Sequence, residues 1–141
     1  MDEIKYEIKK KYDEYVATAD LPNGGGSIIV GAEDYASLKE KIPDLTQEHL
    51  EFCRENNIPV PKNPKISLSY NELLFENPDA ERILILATQK NGGYRAGTNT
   101  LLSLDLYHES FDVLREQLIK QIQQQGHQDK QVEFRLDEVL D

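Results

Sequence analysis

Few side chains in this sequence are of types that carry chemistry. The histidines are His49, His108 and His127, and Cys53 is the single cysteine. No two histidines stand four apart, and neither a His-Glu-x-x-His nor a Cys-x-x-Cys spacing occurs. A metal centre would need all three histidines and a carboxylate gathered from distant parts of the chain. His49 lies beside Phe52 and Cys53 on the apolar side of a helical pattern and reads as a packing residue. His108 precedes a second helical pattern, and His127 follows Gly126 in a polar turn. Cys53 reads as a small buried apolar residue, and nothing beside it in the sequence marks it as a nucleophile.

Carboxylates are plentiful but scattered. Asp13-Glu14, Glu33-Asp34 and Glu48/Glu51 form pairs. Two-metal hydrolysis needs several acids held at one point of a sheet. The first strands offer only Glu7, on the face opposite Ile4, Tyr6 and Ile8. Gly24-Gly25-Gly26-Ser27 lacks the Gly-Lys-Ser/Thr ending of a phosphate loop and leads into a strand, so it reads as a hairpin loop. The sequence therefore predicts no enzyme, with no catalytic residue, no metal and no cofactor.

Charge points to binding instead. Lys and Arg number 16 against 26 Asp and Glu, a net charge of −10. Such a surface repels nucleic acid, whose affinity comes from cations displacing counterions. The short run Lys9-Lys10-Lys11 is flanked by Glu7 and Asp13 and reads as a solvated turn. Net acidity keeps a chain soluble, and it also steers a basic protein partner toward it. The expected contact residues are acids near hairpins and helix starts: Asp13, Glu14, Asp20, Glu33 and Asp34. One cysteine excludes an intramolecular disulfide, which fits a reducing compartment. Met1-Asp2-Glu3-Ile4-Lys5 lacks the apolar stretch of a signal peptide, and no apolar run approaches the ~20 residues of a membrane span. A cytoplasmic protein is expected.

The elements that would position these residues follow from periodicity. Ile4, Tyr6 and Ile8 alternate with charged residues, the pattern of a half-buried strand. A turn at Tyr12-Asp13-Glu14 leads to a strand at Tyr15–Ala19, a loop over residues 21–26, and a third strand at Ser27–Gly31. Asp34 can cap a helix whose stripe is Leu38, Ile42, Leu45 and Phe52. Pro43 inside that stripe predicts a kink or a split, and Asp44 with Gln47 would cap a second segment. Glu55-Asn56-Asn57 ends the helix. The prolines of Ile58–Pro64 force an extended linker, and Ile66, Leu68 and Tyr70 mark a fourth strand.

The second half restates this order. Arg82–Ala87 is an apolar strand, read as central. Asn91-Gly92 is a type I′ hairpin signal, with Tyr94–Gly97 as the return strand and Leu101–Leu104 as the next. Phe111, Leu114, Leu118 and Ile122 mark a helix, Gly126 its C-cap, and Val132, Phe134 and Leu136 a closing strand. Ile66–Leu74 can be laid over Val132–Leu140, each an alternating strand followed by Asn/Asp-Glu and two apolar residues, read as a capped helical turn. Tyr15-Val16-Ala17 likewise matches Tyr94-Arg95-Ala96. An internal duplication is expected, with units at residues 1–77 and 78–141 parted near Asn77-Pro78-Asp79, or sharing one compact domain.

Tyr15-Val16-Ala17-Thr18-Ala19-Asp20-Leu21-Pro22, a Gly-containing turn, an acid-capped helix and then Asn57-Ile58-Pro59-Val60-Pro61 resemble the HicB-like family. Asn91-Gly92-Gly93-Tyr94-Arg95-Ala96 echoes that family's Asp-Gly-Gly-Tyr-x-Ala. The chain departs from it at Leu21-Pro22-Asn23-Gly24, where the family has Leu-Pro-Gly-Cys. The resemblance implies a partial ribonuclease-H-like fold without catalytic acids. It also implies an antitoxin role, covering a small basic ribonuclease toxin, HicA. Family members add a C-terminal DNA-binding module, whereas this chain ends in a second sheet unit and an acidic tail. The expectation is thus an α+β protein of two tandem ββ(β)αβ units, with an antiparallel-rich sheet packed on helices. It would bind a basic toxin-like protein, without catalysis and without direct contact to nucleic acid or membrane. Two alternatives stand beside it: a stand-alone oligomerisation or scaffold protein pairing through sheet edges, and a degenerate or unrecognised enzyme such as a nuclease.

Overall fold

The computed structural model describes residues 3–98, 104–127 and 129–140. The protein is α+β. Its elements run β1 (Glu3–Lys11), β2 (Glu14–Leu21), β3 (Gly26–Ala32), α1 (Tyr35–Glu55), β4 (Lys65–Phe75), β5 (Arg82–Lys90), β6 (Gly93–Thr98), β7 (Leu104–His108), α2 (Phe111–Gln124) and β8 (Gln131–Leu140). No helix among the described residues is long and apolar enough to cross a membrane. The chain divides into two compact units, Met1–Ser69 with Glu138–Asp141, and Tyr70–Asp137. The division falls inside β4, upstream of Asn77-Pro78-Asp79, and the end of β8 belongs to the first unit.

In the first unit the strands lie in the order β3-β2-β1-β4. β1–β2 and β2–β3 are antiparallel hairpins, with Lys11 opposite Glu14 and Leu21 opposite Gly26. Alternation buries Ile4, Tyr6, Ile8, Tyr15, Ala17, Ala19, Ile28 and Val30 on one face, as the pleat requires. The helix α1 packs against β3 and β2. Asp34 caps it, its carboxylate accepting from the Ser37 amide at 2.7 Å. Asn57, at φ +59, closes it: the Asn57 amide donates to Arg54 and the Ile58 amide to Cys53, the paired bonds of a Schellman end.

Pro43 does not split this helix, and the Asp44/Gln47 cap for a second segment is not used. One helix runs from Tyr35 to Glu55 with Pro43 inside it. Its buried stripe is Tyr35, Leu38, Ile42, Thr46, Leu50 and Cys53. Burial of this stripe on both sides of the proline outweighs the missing amide. Thr46 ties the stripe to the sheet. Its hydroxyl donates to the Ile42 carbonyl at 2.6 Å and therefore accepts from the Tyr6 hydroxyl at 2.5 Å. Leu45 and Phe52, expected in the stripe, are instead exposed.

In the second unit the order is β8-β5-β6-β7, with β5–β6 and β6–β7 antiparallel and β5–β8 parallel. Asn91 (φ +51) and Gly92 (φ +80) form the two-residue turn between β5 and β6. β5 is paired on both sides, as expected of a central strand, but its burial alternates: Ile83, Ile85 and Ala87 are buried while Leu84 and Leu86 stay exposed. The helix α2 packs on β7 and β6 through Phe111, Leu114, Leu118 and Ile122. Gly126 (φ +74) ends it, with its amide to Gln123 and that of His127 to Ile122. The expected strand at 101–104 lies outside the described residues except for Leu104, which opens β7.

The helical turns expected after Tyr70 and Leu136 do not form. β4 continues to Phe75 and β8 to Leu140. Asn71, Glu72 and Glu138 stay in strand because they find partners there. Asn71 donates to Glu133 at 2.7 Å, and Arg115 grips Glu72 with two bonds of 2.7 Å. Glu138 accepts from Tyr35 at 2.9 Å and from Lys39.

Candidate functional site

The β1–β2 hairpin turns on Tyr12 and Asp13. Tyr12 adopts φ +56 and is 97% exposed. A left-handed aromatic residue is costly, because its Cβ crowds the following carbonyl. The corresponding turn of the second unit uses Asn91-Gly92, residues suited to that conformation. The turn itself therefore does not demand a tyrosine.

Acids surround this tip. Asp13 is the second turn residue, and Glu14 opens β2, with its carboxylate over Gly31. Tyr15 is opposite Ala32, so the chain beyond β3 brings Glu33 and Asp34 to the same end of the unit. All four are exposed, and no ion pair among the described residues involves them. Asp34 is occupied as the cap, and the amide of Ser37 holds its carboxyl below the usual carboxylate range. Lys10 turns back onto the Tyr12 carbonyl at 3.2 Å and over the Tyr15 ring. Lys41 bonds the Gly31 carbonyl at 3.1 Å.

Asp20 is not part of this group. It sits at the other end of β2, opposite Ser27, whose hydroxyl donates to it at 2.6 Å. Six residues of strand separate it from Glu14, roughly 20 Å. The five acids expected as one contact set thus fall into a cluster of four and one outlier.

His49, His108 and Cys53 each have a structural contact. His49 Nε2 lies 2.6 Å from the Gly25 carbonyl, and its ring is 6.4 Å from that of Phe52. His108 Nδ1 accepts from the Ser110 amide at 2.8 Å. Cys53 is buried with its sulfur 3.8 Å from the Gly25 carbonyl. Among the described residues no group of three His, Cys, Asp or Glu could hold a metal ion. In the second unit a depression of about 460 Å³ is lined by Lys90, Asn91, Arg95, Asp105 and Tyr107. Two bonds from Arg95, 2.8 and 2.7 Å, hold the Asp105 carboxyl below its ordinary range. That pair neutralises itself.

Sequence reasoning missed Tyr12, which reads as a turn residue, and the exposed apolar set Ile29, Leu45 and Phe52. A signal for the set was present. Ile28, Ile29 and Val30 are three consecutive apolar residues, and a half-buried strand covers only alternate ones. Comparison with family models, curated proteins and solved structures finds no match for this chain.

Proposed function

We propose that this chain is a non-catalytic binding module of the HicB-like antitoxin type, built by tandem duplication, that covers a basic protein partner such as a small toxin. The observation that carries the reading is the tip of the first hairpin. There an exposed tyrosine is held in a costly backbone conformation beside Asp13, Glu14 and Glu33, none of which joins an ion pair among the described residues. Tyrosine is a preferred anchor of protein interfaces, and unpaired carboxylates around it steer cations. Residues kept in unfavourable backbone regions cluster at functional sites.

The duplication is supported by matched detail. Each half runs β-β-β-α-β, with its last strand beside its first. Tyr15 meets Tyr35 edge-on at 5.9 Å, and Tyr94 meets Phe111 edge-on at 5.4 Å, at equivalent strand and helix-start positions. A second reading, self-association, has its support in β3 and β7, each of which has one edge without a strand partner among the described residues.

The test is kinetic. With the partner recovered from native lysate, Asp13→Lys/Glu14→Lys/Glu33→Lys should slow association at least about tenfold at low salt and change dissociation little. Asp34 is left alone because it caps α1. An unchanged association rate at low salt would refute the electrostatic reading.

A further inference from the structure

Between β3 and α1 of the first unit lies a groove of about 360 Å³, with Ile29, Leu45, Glu48, His49 and Phe52 among its lining. Ile29 is 67%, Leu45 38% and Phe52 58% exposed. Leu45 and Phe52 lie seven residues apart on α1, whereas Ile29 faces away from the buried side of β3 that carries Ile28 and Val30. The outer edge of β3 has no strand partner among the described residues, so its outward amides and carbonyls are free to pair. Along α1, Asp44, Glu48, Glu51 and Glu55 are spaced 4, 3 and 4, lie beside Leu45 and Phe52, and are all exposed. None joins an ion pair among the described residues. Like charges at this spacing weaken a helix, and a cation brought beside them by a ligand would relieve that repulsion.

The second unit supplies an internal control. Counted from their caps Asp34 and Ser110, Leu45, Glu48 and His49 of α1 correspond to Gln121, Gln124 and Gln125 of α2. Those positions are neutral and polar there, so the fold requires neither Leu45 nor Glu48 at them.

We propose that β3 and α1 of the first unit seat an extended basic segment of the partner, added as a further strand along β3. Apolar side chains of that segment would rest on Leu45 and Phe52, and Lys or Arg side chains would reach Glu48 and Glu51. This rests on the basic-partner reading above and names where the partner binds. A second copy of this chain fits less well, since it would bring a net charge of −10 to an acidic rim. Strand addition draws affinity from main-chain bonds and specificity from alternate side chains.

The probe is a blocked peptide of alternating Val and Lys, about eight residues long, titrated into the ¹⁵N-labelled full chain, with a Val/Glu peptide as counterpart. The Val/Lys peptide should shift amides of Gly26–Ala32 and Leu45–Phe52, and the Val/Glu peptide should shift none. Leu45→Ser and Phe52→Ser, both at exposed positions, should each weaken binding about tenfold with unchanged circular dichroism. Shifts confined to Tyr12–Glu14 and Glu33 would overturn the groove while leaving a basic partner in place. No shifts, or equal shifts with the acidic peptide, would overturn it also. A doubled solution mass that Phe52→Ser returned to that of one chain would give the groove to a second copy and overturn the proposal.

Discussion

Lys39 of α1 donates to Glu138, a carboxylate that β8 carries into the first unit from the far end of the chain. The pair is nearly dry, with side-chain exposures of 20% and 2%, and Glu138 also accepts from the Tyr35 hydroxyl. The second unit holds the counterpart: Arg115 of α2 grips Glu72 of β4. Lys39 and Arg115 stand at the same distance from their caps, and Glu72 and Glu138 occupy the same place in the segments laid over one another. Each helix is thus tied by one ion pair to the end of the other half's last strand.

Removing one partner leaves a buried charge uncompensated. Lys39→Met should cost about 3–5 kcal/mol, read by denaturant unfolding. Adding Glu138→Gln should recover part of that loss, since the orphaned carboxylate disappears. A double variant as unstable as the sum of the two singles would mean that the residues act independently.

Tyr6 sets an alkaline limit. Burial raises its pKa above the ordinary 10.0. The folded chain therefore holds the phenol proton more tightly than the unfolded chain. Stability from this residue is intact below the unfolded value and is lost as pH rises through the folded one. Tyr6→Phe should cost about 1 kcal/mol at neutral pH and flatten the alkaline fall, seen in melting temperatures taken above pH 9.

Asp34 works in the opposite direction. Its folded pKa is lowered, chiefly by the Ser37 amide. Its contribution is present above the unfolded carboxylate value and is lost as pH falls through the folded one. Asp34→Asn should keep the cap and remove this acid dependence. Asp34→Ala should loosen the start of α1 at every pH, measured by amide exchange at Ser37 and Leu38.

Pro43 lacks the amide that would bond one turn back, yet α1 runs through it. Pro43→Ala should stabilise the chain by about 1–3 kcal/mol, checked by chemical unfolding. A loss of stability would show that the proline ring packs in a way alanine cannot replace.

Much of the strand pattern was legible because period-two burial and turn chemistry agree. Asn91-Gly92, the cap at Asp34 and the stripe of α2 all form as their residues dictate. The failures share one cause. Pro43, Asn71-Glu72 and Glu138 look like breakers locally, but tertiary partners hold them: a buried stripe for the first, Glu133 for Asn71, Arg115 for Glu72, and Lys39 and Tyr35 for Glu138. Leu45 and Phe52 fit a helical stripe as well as Thr46 and Leu50 do, and only the position of the sheet decides between them. The acids of the candidate site were visible as charges. Their division into a cluster and the distant Asp20 depends on register.

Tyr12 separates folding from binding. Tyr12→Asn should raise stability by about 1 kcal/mol, because asparagine tolerates the left-handed turn better. The same change should weaken partner binding. Loss of stability together with loss of binding would make Tyr12 a structural residue only.

The most direct test of the central claim is capture from native lysate. The tagged full chain and its Asp13→Lys/Glu14→Lys/Glu33→Lys variant are compared at low and raised salt, with the retained proteins identified by mass. The expected result is one small basic protein held in stoichiometric amount by the native chain, released in part by salt and absent from the variant. A native chain that retains only itself, or a partner held equally by the variant at low salt, would contradict the claim.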